Sequence, residues 1–582
     1  MKNVIQNFIF ARHRRLSIGD RILHFAGDYE EVISGKDICI RIKANNCVYT
    51  STFYNIFSIS KWTSLCSIDN LQVFLKGSGK VDVEVYYRPH FGIESLLSAF
   101  EFELDEIPQF YNIPIEGRTE GVIILKISAI SDVSIVGGGY ATTNSRRNKV
   151  RLGVVVTHFN NLESVKRTIT DFSSEQKINK EEVNLIVVDN SSNIPAEFYR
   201  EGVEIVRNSN FGGSGGYARG KLYLENNGYT HCIFMDDDVG VDPECIYRVQ
   251  KIYEYARLEF SISGLILSKD DGHTVLQVGG RYKNGFCWIP VCSGYDMADL
   301  ADLIKLNRTH AKIDFGAFPF YAFPLKSSKN YPFPFFVRGD DVLFGLQQSN
   351  LAKKFWLGIG VLISRSGLIL KECPHTLYQD CRALIAIELM SKNKSSLLKV
   401  LRIYTRMCLS QVFSYKYASA HAVNSALLDV LKGPSFFENE LDQRSIRERN
   451  KKFNVKERYE WTDETEEVEC SKNRHSLRII RLITLNGLLL PVFLLRRKAV
   501  LQNKGFRASF REIFGYRYVC YESLDGKRLI VAQDKCVIFK LLLKWLSISI
   551  SIVCSYKKLK HSYVDCSSRM TSKKFWSQKY DL

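Results

Sequence analysis

The chain has 582 residues, 45% of them hydrophobic and 12% aromatic, and a formal net charge of +18. That length suggests about three or four domains, and the apolar content excludes disorder as a description of the whole. A basic excess asks for an anionic partner, but no zinc-finger spacing, RRM-type aromatic signature or long basic block is present, so nucleic acid is not an expected partner. The fifteen cysteines are scattered without a CxxC pair, which suits reduced, mostly buried thiols in a cytoplasmic protein. The opening MKNVIQNFIFARHRR has too short an apolar run for a secretory signal. No uninterrupted apolar run reaches the roughly 18–20 residues that span a bilayer. The nearest stretch, Val537 to Cys554, carries Lys540 and Lys544.

In chain order, residues 1–147 read as strands. ICIRIK, VYTSTFYNIFS, LQVFLKG, VDVEVYYR and GVIILKISAIS have strand length and are punctuated by glycine and aspartate, as in KGSGK. Such spacing predicts a β-sandwich. From Arg151 the pattern changes. RLGVVVTHF, VNLIVVDNSS, VEIVRNSN and THCIFMDDD read as buried parallel strands, with helices over NNLESVKRTITDF and GGYARGKLYLENNG between them. This alternation predicts a doubly wound α/β domain with its ligand at the carboxyl ends of the strands, where Thr157, Asp189, Asn208 and Asp236 fall. After Leu384 the chain reads as helical and basic, through AVNSALLDVLKG to the apolar runs around LITLNGLLLPVFLL and Val537.

Three stretches carry chemistry. In FMDDDVGVDPE, three aspartates end a strand, an unfavourable placement unless a cation or hydrogen-bond donors neutralise them. Alternation along an extended segment points Asp236 and Asp238 the same way, where they can share one Mg²⁺ or Mn²⁺, while Asp237 points elsewhere. NSNFGGSGGYARG, Asn208 to Gly220, is a glycine-rich turn opening a helix, a setting for phosphate, with Arg219 adding a cation. It lacks the GK[ST] of a P-loop. FPFPFFVRGDDVLFGLQ carries Asp340 and Asp341, a pair suited to holding a hydroxyl and accepting its proton, although a carboxylate pair before a helix also serves as an N-cap. VLQVGGRY and DFGAFPFYAFPL supply aromatics that suit either core or sugar stacking.

Taken in order, VVVTHFNN, IVVDNSS, RNSNFGGSGGYARG, FMDDDVGVDPE, DFGAFPFYAFP, FPFFVRGDDVLFGLQ and GIGV resemble the GT-A glycosyltransferases of family 2, and within them the galactofuranosyltransferases of bacterial galactan synthesis. TSTFYNIFSISKWT resembles the β-sandwich that precedes the catalytic domain in that group, and ITLNGLLLP its C-terminal helical region. The resemblance implies an α/β GT-A domain over 151–383, a β-sandwich over 1–147 and a mainly α-helical, basic region over 384–582. It implies an inverting glycosyltransferase that uses UDP-galactofuranose, with Mn²⁺ or Mg²⁺ as cofactor. Asp236 and Asp238 resemble its metal-binding acids, with His375 as a further candidate. Asp341 resembles the base and Asp340 the acid that holds the acceptor. Thr157, Phe159, Asp189, Asn208, Asn210, Gly212, Gly213, Arg219 and Asp237 resemble the donor-binding surface.

The implied partners are the UDP-sugar, a glycan or lipid-linked glycan acceptor, and the inner face of the cell membrane, met peripherally. Self-association into a homo-oligomer is a further expected partnership. Four positions depart from the family pattern: Asn161 for an arginine, Gly339 for a tryptophan, Leu343 for a glutamate and Ile363 for a metal-binding histidine. They keep two alternatives open, a non-catalytic carbohydrate-binding scaffold with a degenerate GT-A domain, and a nucleotidyltransferase.

For the membrane, Leu541, Leu542, Trp545, Leu546 and Ile548 are expected to form an apolar stripe, with Lys540, Lys544, Lys557, Lys558 and Lys560 nearby to meet anionic lipid.

Overall fold

In a computed structural model, the chain is described over residues 2–11, 22–34, 37–283, 287–363, 372–391, 396–461, 468–469, 478–484, 486–503, 512–523 and 526–581. Ten strands, β1 to β10, run from Asn3 to Thr142. The long strand β6 (Leu71–Arg88) organises them: its first half pairs with β8 (Gln109–Ile113) and β10 (Val133–Thr142), its second with β7 (Ser95–Leu104) and β9 (Val122–Ala129). The KGSGK turn expected between two strands is therefore the middle of one. Gly79, at φ 98°, lets the backbone bend there while pairing continues, and a Cβ at that position would meet the Asp132 carbonyl at 2.6 Å. VYTSTFYNIFS is strand only at its start, over β5 (Cys47–Tyr49). The rest is a buried loop whose Asn55 bonds to the carbonyls of Ile9 and His24, followed by helix α1 (Ile59–Leu65).

The α/β part alternates as its apolar pattern predicts. Strands β11 (Leu152–His158), β12 (Val183–Asp189), β13 (Val203–Arg207) and β14 (His231–Asp236) are mutually parallel in the order β13-β12-β11-β14. Helix α2 (Leu162–Ser174) follows β11, and α3 (Gly212–Asn226) connects β13 to β14. Near-continuous apolar residues bury β11, β12 and β14 on both faces, whereas edge strand β13 leaves Glu204 and Arg207 exposed. After β15 (Val239–Gly240) and α4 (Pro243–Tyr255), strand β16 (Phe260–Ser263) leads into β17 (Leu265–Ser268), β18 (Val275–Gln277), β19 (Gly280–Lys283) and β20 (Cys287–Pro290). Helix α5 (Leu300–Arg308), strand β21 (Phe320–Pro324), helix α6 (Asp340–Gln347), β22 (Ala352–Lys354) and β23 (Gly360–Ile363) complete this part. Antiparallel β21 joins the parallel set to β16 and β22. The aromatics of DFGAFPFYAFPL are core: Phe315, Phe318, Phe320, Tyr321 and Phe323 are all buried.

The N-terminal strands share one apolar cluster with the α2–α4 side of the α/β sheet, from Val73 and Ile127 to Val156, Ile233 and Ile246. At this junction Arg248, 2% exposed, pairs with Glu244 at 3.3 Å and donates to the carbonyls of Asn7, Tyr54 and Gly358. Glu244 in turn accepts from the backbone and side-chain nitrogens of Asn7. Breaking one partner of a buried pair strands the other charge. Arg248→Met is therefore expected to destabilise the fold by about 3–5 kcal/mol, seen as a lower denaturation midpoint, and adding Glu244→Gln should recover much of the loss. An unchanged midpoint in the single variant would contradict the role.

Beyond the α/β sheet lie α7 (Pro374–Met390), α8 (Leu397–Val412), α9 (Tyr417–Leu431), α10 (Ser435–Asn439), α11 (Arg444–Lys456) and α12 (Arg478–Ile483). The helical expectation for the next stretch needs correction. β24 (Val468–Glu469), β25 (Arg496–Asn503), β26 (Tyr516–Glu522) and β27 (Arg528–Ala532) form a four-stranded sheet. Helix α12 ends at Ile483, and Gly487 at φ 87° and Pro491 follow, so residues 486–489 are turn rather than helix. The last elements are α13 (Lys535–Met570) and α14 (Lys573–Lys579).

Helix α13 also corrects the membrane expectation. Its 36 residues include an 18-residue window of mean hydropathy 2.0, so by length and composition it is able to cross a bilayer. Lys540 and Lys544 do not break the helix. Yet one face is committed to the protein: Ile538, Leu541, Ile548, Ile552, Leu559 and Tyr563 are buried in the cluster formed with α7–α9. Leu541 and Ile548 thus belong to the core, and Trp545 is half-buried with its indole N–H donating to Thr405 at 3.2 Å. The exposed stripe is instead Phe539, Leu543, Leu546, Ile550 and Val553, spaced by four, three, four and three residues. A sequence apolar on two helical faces does not say which one the core takes.

Candidate active site

The carboxyl ends of the parallel strands gather the first acids. Thr157 on β11 is in register with Asp236 on β14. Asp236 accepts a 2.5 Å hydrogen bond from Tyr217 Oη, delivered from α3. Asp237, in the turn after β14, reaches elsewhere: its Oδ2 lies 3.1 Å from Nδ1 of fully buried His158, whose Nε2 meets Asn193 Oδ1 at 3.0 Å. Burial pulls the His158 pKa down, but hydrogen bonds to Asp237 and Asn193 outweigh it and hold the ring above its ordinary value. Asp238 is exposed.

The glycine-rich turn forms the neighbouring wall. Asn210 Oδ1 accepts from the Gly212 N–H at 3.0 Å, and Asn208 donates to Asn190 Oδ1 at 2.8 Å. Asn190 also reaches the Gly212 carbonyl at 3.4 Å, so it ties both ends of the turn together. Gly212 sits at φ 69°, and a Cβ there would lie 2.2 Å from the Phe336 carbonyl. Phe159 is half exposed at the mouth of the cleft. Two further expected donor residues make structural contacts. The Asp189 carboxylate accepts from the backbone of Ser191, Ser192 and Ile194 and from the Ser191 hydroxyl, fixing its own loop. The Arg219 guanidinium lies over the Tyr580 ring, 5.3 Å from its centroid.

The second acidic pair begins α6. Phe336 (φ 74°), Arg338 (φ 69°) and Gly339 (φ 83°) take left-handed conformations immediately before it, and the Phe336 carbonyl accepts from the Ser214 N–H on α3. Strain of this kind persists where the surroundings enforce it. Gly339 explains one departure from the family pattern: a Cβ would lie 2.7 Å from Ala383 Cβ, so no tryptophan fits on this backbone. Asp340 is 8% exposed and accepts from Ser214 Oγ at 3.1 Å, and Asp341 is half-buried beside it. Burial, then the Asp341 charge and more weakly that of Asp236, push the Asp340 carboxyl up to about 7. Helix α3 thus bonds both acidic segments, Asp340 through Ser214 and Asp236 through Tyr217.

That shift has a measurable consequence. An unfolded aspartate ionises near pH 4. Between there and about 7 the unfolded chain releases this proton while the folded chain keeps it, so stability from this group is lost as pH rises. Asp340→Asn removes the ionisation. The variant is expected to gain roughly 2–4 kcal/mol over wild type at pH 8, a difference that vanishes near pH 4. Melting curves across that range check it, and a pH-independent difference would contradict it.

His375, the further metal candidate, has partners on another helix. It lies on the first turn of α7, its backbone N–H donating to Asn454 and its ring facing Asn450, both on α11. Burial, then Arg382, Arg447 and Arg338, push its pKa down, a surrounding that repels a cation. Among the described residues no group of three or more His, Cys, Asp and Glu side chains converges to hold a metal. The position where the family pattern has a histidine is nevertheless in place: Ile363 on β23 pairs with Val239, next to Asp238, and its buried side chain is apolar. Asp236 and Asp238 still fit an ion of the Mg²⁺ class, which commonly takes one or two carboxylates and completes its shell with substrate phosphates and water.

Residues 153–284 match the family described as Glycosyl transferase family 2. The chain carries a family 2 glycosyltransferase domain. The matched span holds β11 to β14 and the three consecutive aspartates, whereas Asp340 and Asp341 lie beyond it. Two curated relatives are the galactofuranosyltransferases GlfT2 of Mycobacterium tuberculosis and Mycolicibacterium smegmatis. The first is 22% identical over 432 residues, covering 68% of this chain and 67% of that protein. The second is 24% identical over 335 residues, covering 51% of this chain and 50% of that protein. The chain thus spans two thirds of one relative's length and half of the other's. A solved structure, S. aureus TarS 1-349 in complex with UDP-GlcNAc, is 13% identical, covering 54% of this chain and 95% of that one, with a TM-score of 0.31. The family 2 domain and the two relatives make the protein a glycosyltransferase.

Sequence reasoning missed Ser214, Tyr217 and Asn190. Ser214 and Tyr217 stand inside the glycine run it singled out, so their place in that run was the available signal. Their partners Asp340 and Asp236 come from distant segments.

Proposed function

We propose that the protein transfers a galactofuranosyl unit from UDP-galactofuranose, with inversion, to a glycan or lipid-linked glycan acceptor of the cell surface. The observation that carries this reading is that one helix, α3, bonds both acidic segments, Ser214 donating to Asp340 and Tyr217 to Asp236. The galactofuranosyltransferase names of the two relatives support the choice of sugar. Asn208, Asn210, Thr157 and Phe159 form the donor side of the cleft. Asp341 takes the proton of the acceptor hydroxyl as its oxygen attacks the anomeric carbon, and the bond from that carbon to the diphosphate breaks to release UDP. Asp340, held by Ser214 and kept protonated up to neutral pH by burial, donates a hydrogen bond that orients the acceptor. A Mn²⁺ or Mg²⁺ held by Asp236 and Asp238 would supply charge neutralisation at the diphosphate.

A second reading is favoured by Ile363: a carbohydrate-binding scaffold whose metal shell has decayed. A panel of UDP-sugars offered with membrane-extracted acceptor lipid, with and without Mn²⁺, separates the two. Release of UDP that needs both acceptor and Mn²⁺ supports transfer, and its absence with every donor supports the scaffold.

The same reading places the protein on the inner face of the membrane. The exposed stripe Phe539, Leu543, Leu546, Ile550 and Val553 is accompanied by exposed Lys540, Lys544, Lys557 and Lys558. With the opposite face of α13 buried in the protein, this stripe suits lying in the interface, where each basic residue adds about 1 kcal/mol on anionic lipid. Wild type is expected to float with anionic liposomes at low salt and to be released at high salt. Leu543→Ser with Ile550→Ser should abolish flotation without lowering the melting temperature. Equal flotation with neutral lipid, or by the variant, would contradict this placement.

A further inference from the structure

Helix α11 from the C-terminal region reaches the cleft. A cavity of about 380 Å³ is lined on one side by Phe159, Ser209, Asn210 and Phe211 and on the other by Asp442, Arg444 and Arg447. The arginines are held from beneath. Asp442 accepts from the Arg444 backbone N–H at 3.1 Å and pairs with Arg444 Nε at 3.0 Å, while its carbonyl accepts from Arg447 Nη2 at 3.1 Å. Arg447 also lies 5.5 Å above the Phe336 ring, which fixes it against the strained segment preceding Asp340. Each guanidinium carries five N–H donors, so these contacts leave donors for a ligand.

We infer that Arg444 and Arg447 form, opposite Asn210 and Phe159, a binding wall for a phosphoryl or pyrophosphoryl group, contributed by the C-terminal region to the cleft of the family 2 domain. Two guanidiniums against one already paired carboxylate leave the wall positive. Planar forks of this kind bind phosphate oxygens two at a time. The surroundings reinforce the sign, since Arg338 and Arg382 join Arg447 in holding His375 low, after burial. Ser209 and Asn210 offer polar atoms across the cavity, and half-exposed Phe159 offers an aromatic face. The phosphoryl group has two sources: the diphosphate of the donor or the phosphate of a lipid-linked acceptor. Only this choice of source rests on the proposed function.

The test is calorimetric binding to the full-length protein of inorganic pyrophosphate, UDP, uridine and farnesyl phosphate. Arg444→Gln with Arg447→Gln is expected to weaken pyrophosphate at least tenfold and leave uridine within twofold. Arg447→Lys, which keeps the charge, should lose less than the double variant. Arg444 is 82% exposed, so Arg444→Gln alone leaves the fold intact and should still weaken pyrophosphate by threefold or more. Loss of UDP affinity in the double variant assigns the wall to the donor, and loss of farnesyl phosphate with UDP unchanged assigns it to the acceptor. Unchanged pyrophosphate binding in both glutamine variants would overturn the inference. Should no donor release UDP from wild type while pyrophosphate binding still depends on the arginines, the proposed function fails and this site stands.

Discussion

Replacing Asp341 by asparagine is expected to lower turnover by at least two orders of magnitude, the usual scale for removing a general base. Donor affinity should stay near wild type, because a base that takes the acceptor's proton need not bind the donor. The same change removes the nearest negative charge from Asp340 and so moves that carboxyl down from about 7 towards its ordinary range. Single-turnover rates and UDP titrations on one preparation check both parts. Collapse of donor binding together with turnover would make Asp341 a structural or donor-binding group instead.

The second large effect concerns the strand-end acids. Asp236→Ala and Asp238→Ala are each expected to abolish Mn²⁺-dependent UDP binding and transfer. With apolar Ile363 where the family pattern has a histidine, an ion held here would depend on two carboxylates and the donor's own phosphates. Metal affinity without UDP should therefore be weak in wild type and rise when UDP is added. Calorimetry with each component alone and together measures this. Asp236→Ala further frees the Tyr217 hydroxyl, so Tyr217→Phe serves as a control that removes the hydrogen bond and keeps the carboxylate. Transfer that survives both alanine variants, or persists in chelator, would refute a metal role.

What was legible in the sequence was what is local. The buried strands β11 to β14 announce themselves as apolar runs, and the acids fall at their ends because a polar residue stops each run. Strand alternation leads to the expectation that Asp237 turns away from Asp236; the strand ends at Asp236, and Asp237 meets His158 from the turn that follows. What pairs distant segments was not legible. Nothing near Ser214 says that it meets Asp340, 126 positions away. The KGSGK stretch looks like a turn because glycine bends chains, but whether a bend ends a strand depends on the partner across it, here β10. The sheet of β25 to β27 hides in a basic, apolar stretch with no clear period. Helix α13 has two apolar faces, and only packing against α7–α9 decides which one stays outside. The setting of His375 is of the same kind: after burial, its field is set by Arg382 on its own helix and by Arg447 and Arg338 from elsewhere in the chain.

The measurement that bears most directly on the proposed transfer is mass analysis of the acceptor after incubation with UDP-galactofuranose, Mn²⁺ and membrane-extracted lipid-linked glycan, beside a parallel reaction with UDP-galactopyranose. The proposed function predicts acceptor lengthened by hexose units with the furanose donor alone, in amounts equal to the UDP released, and none with Asp341→Asn. Unmodified acceptor with the furanose donor, or equal lengthening by Asp341→Asn, would contradict it.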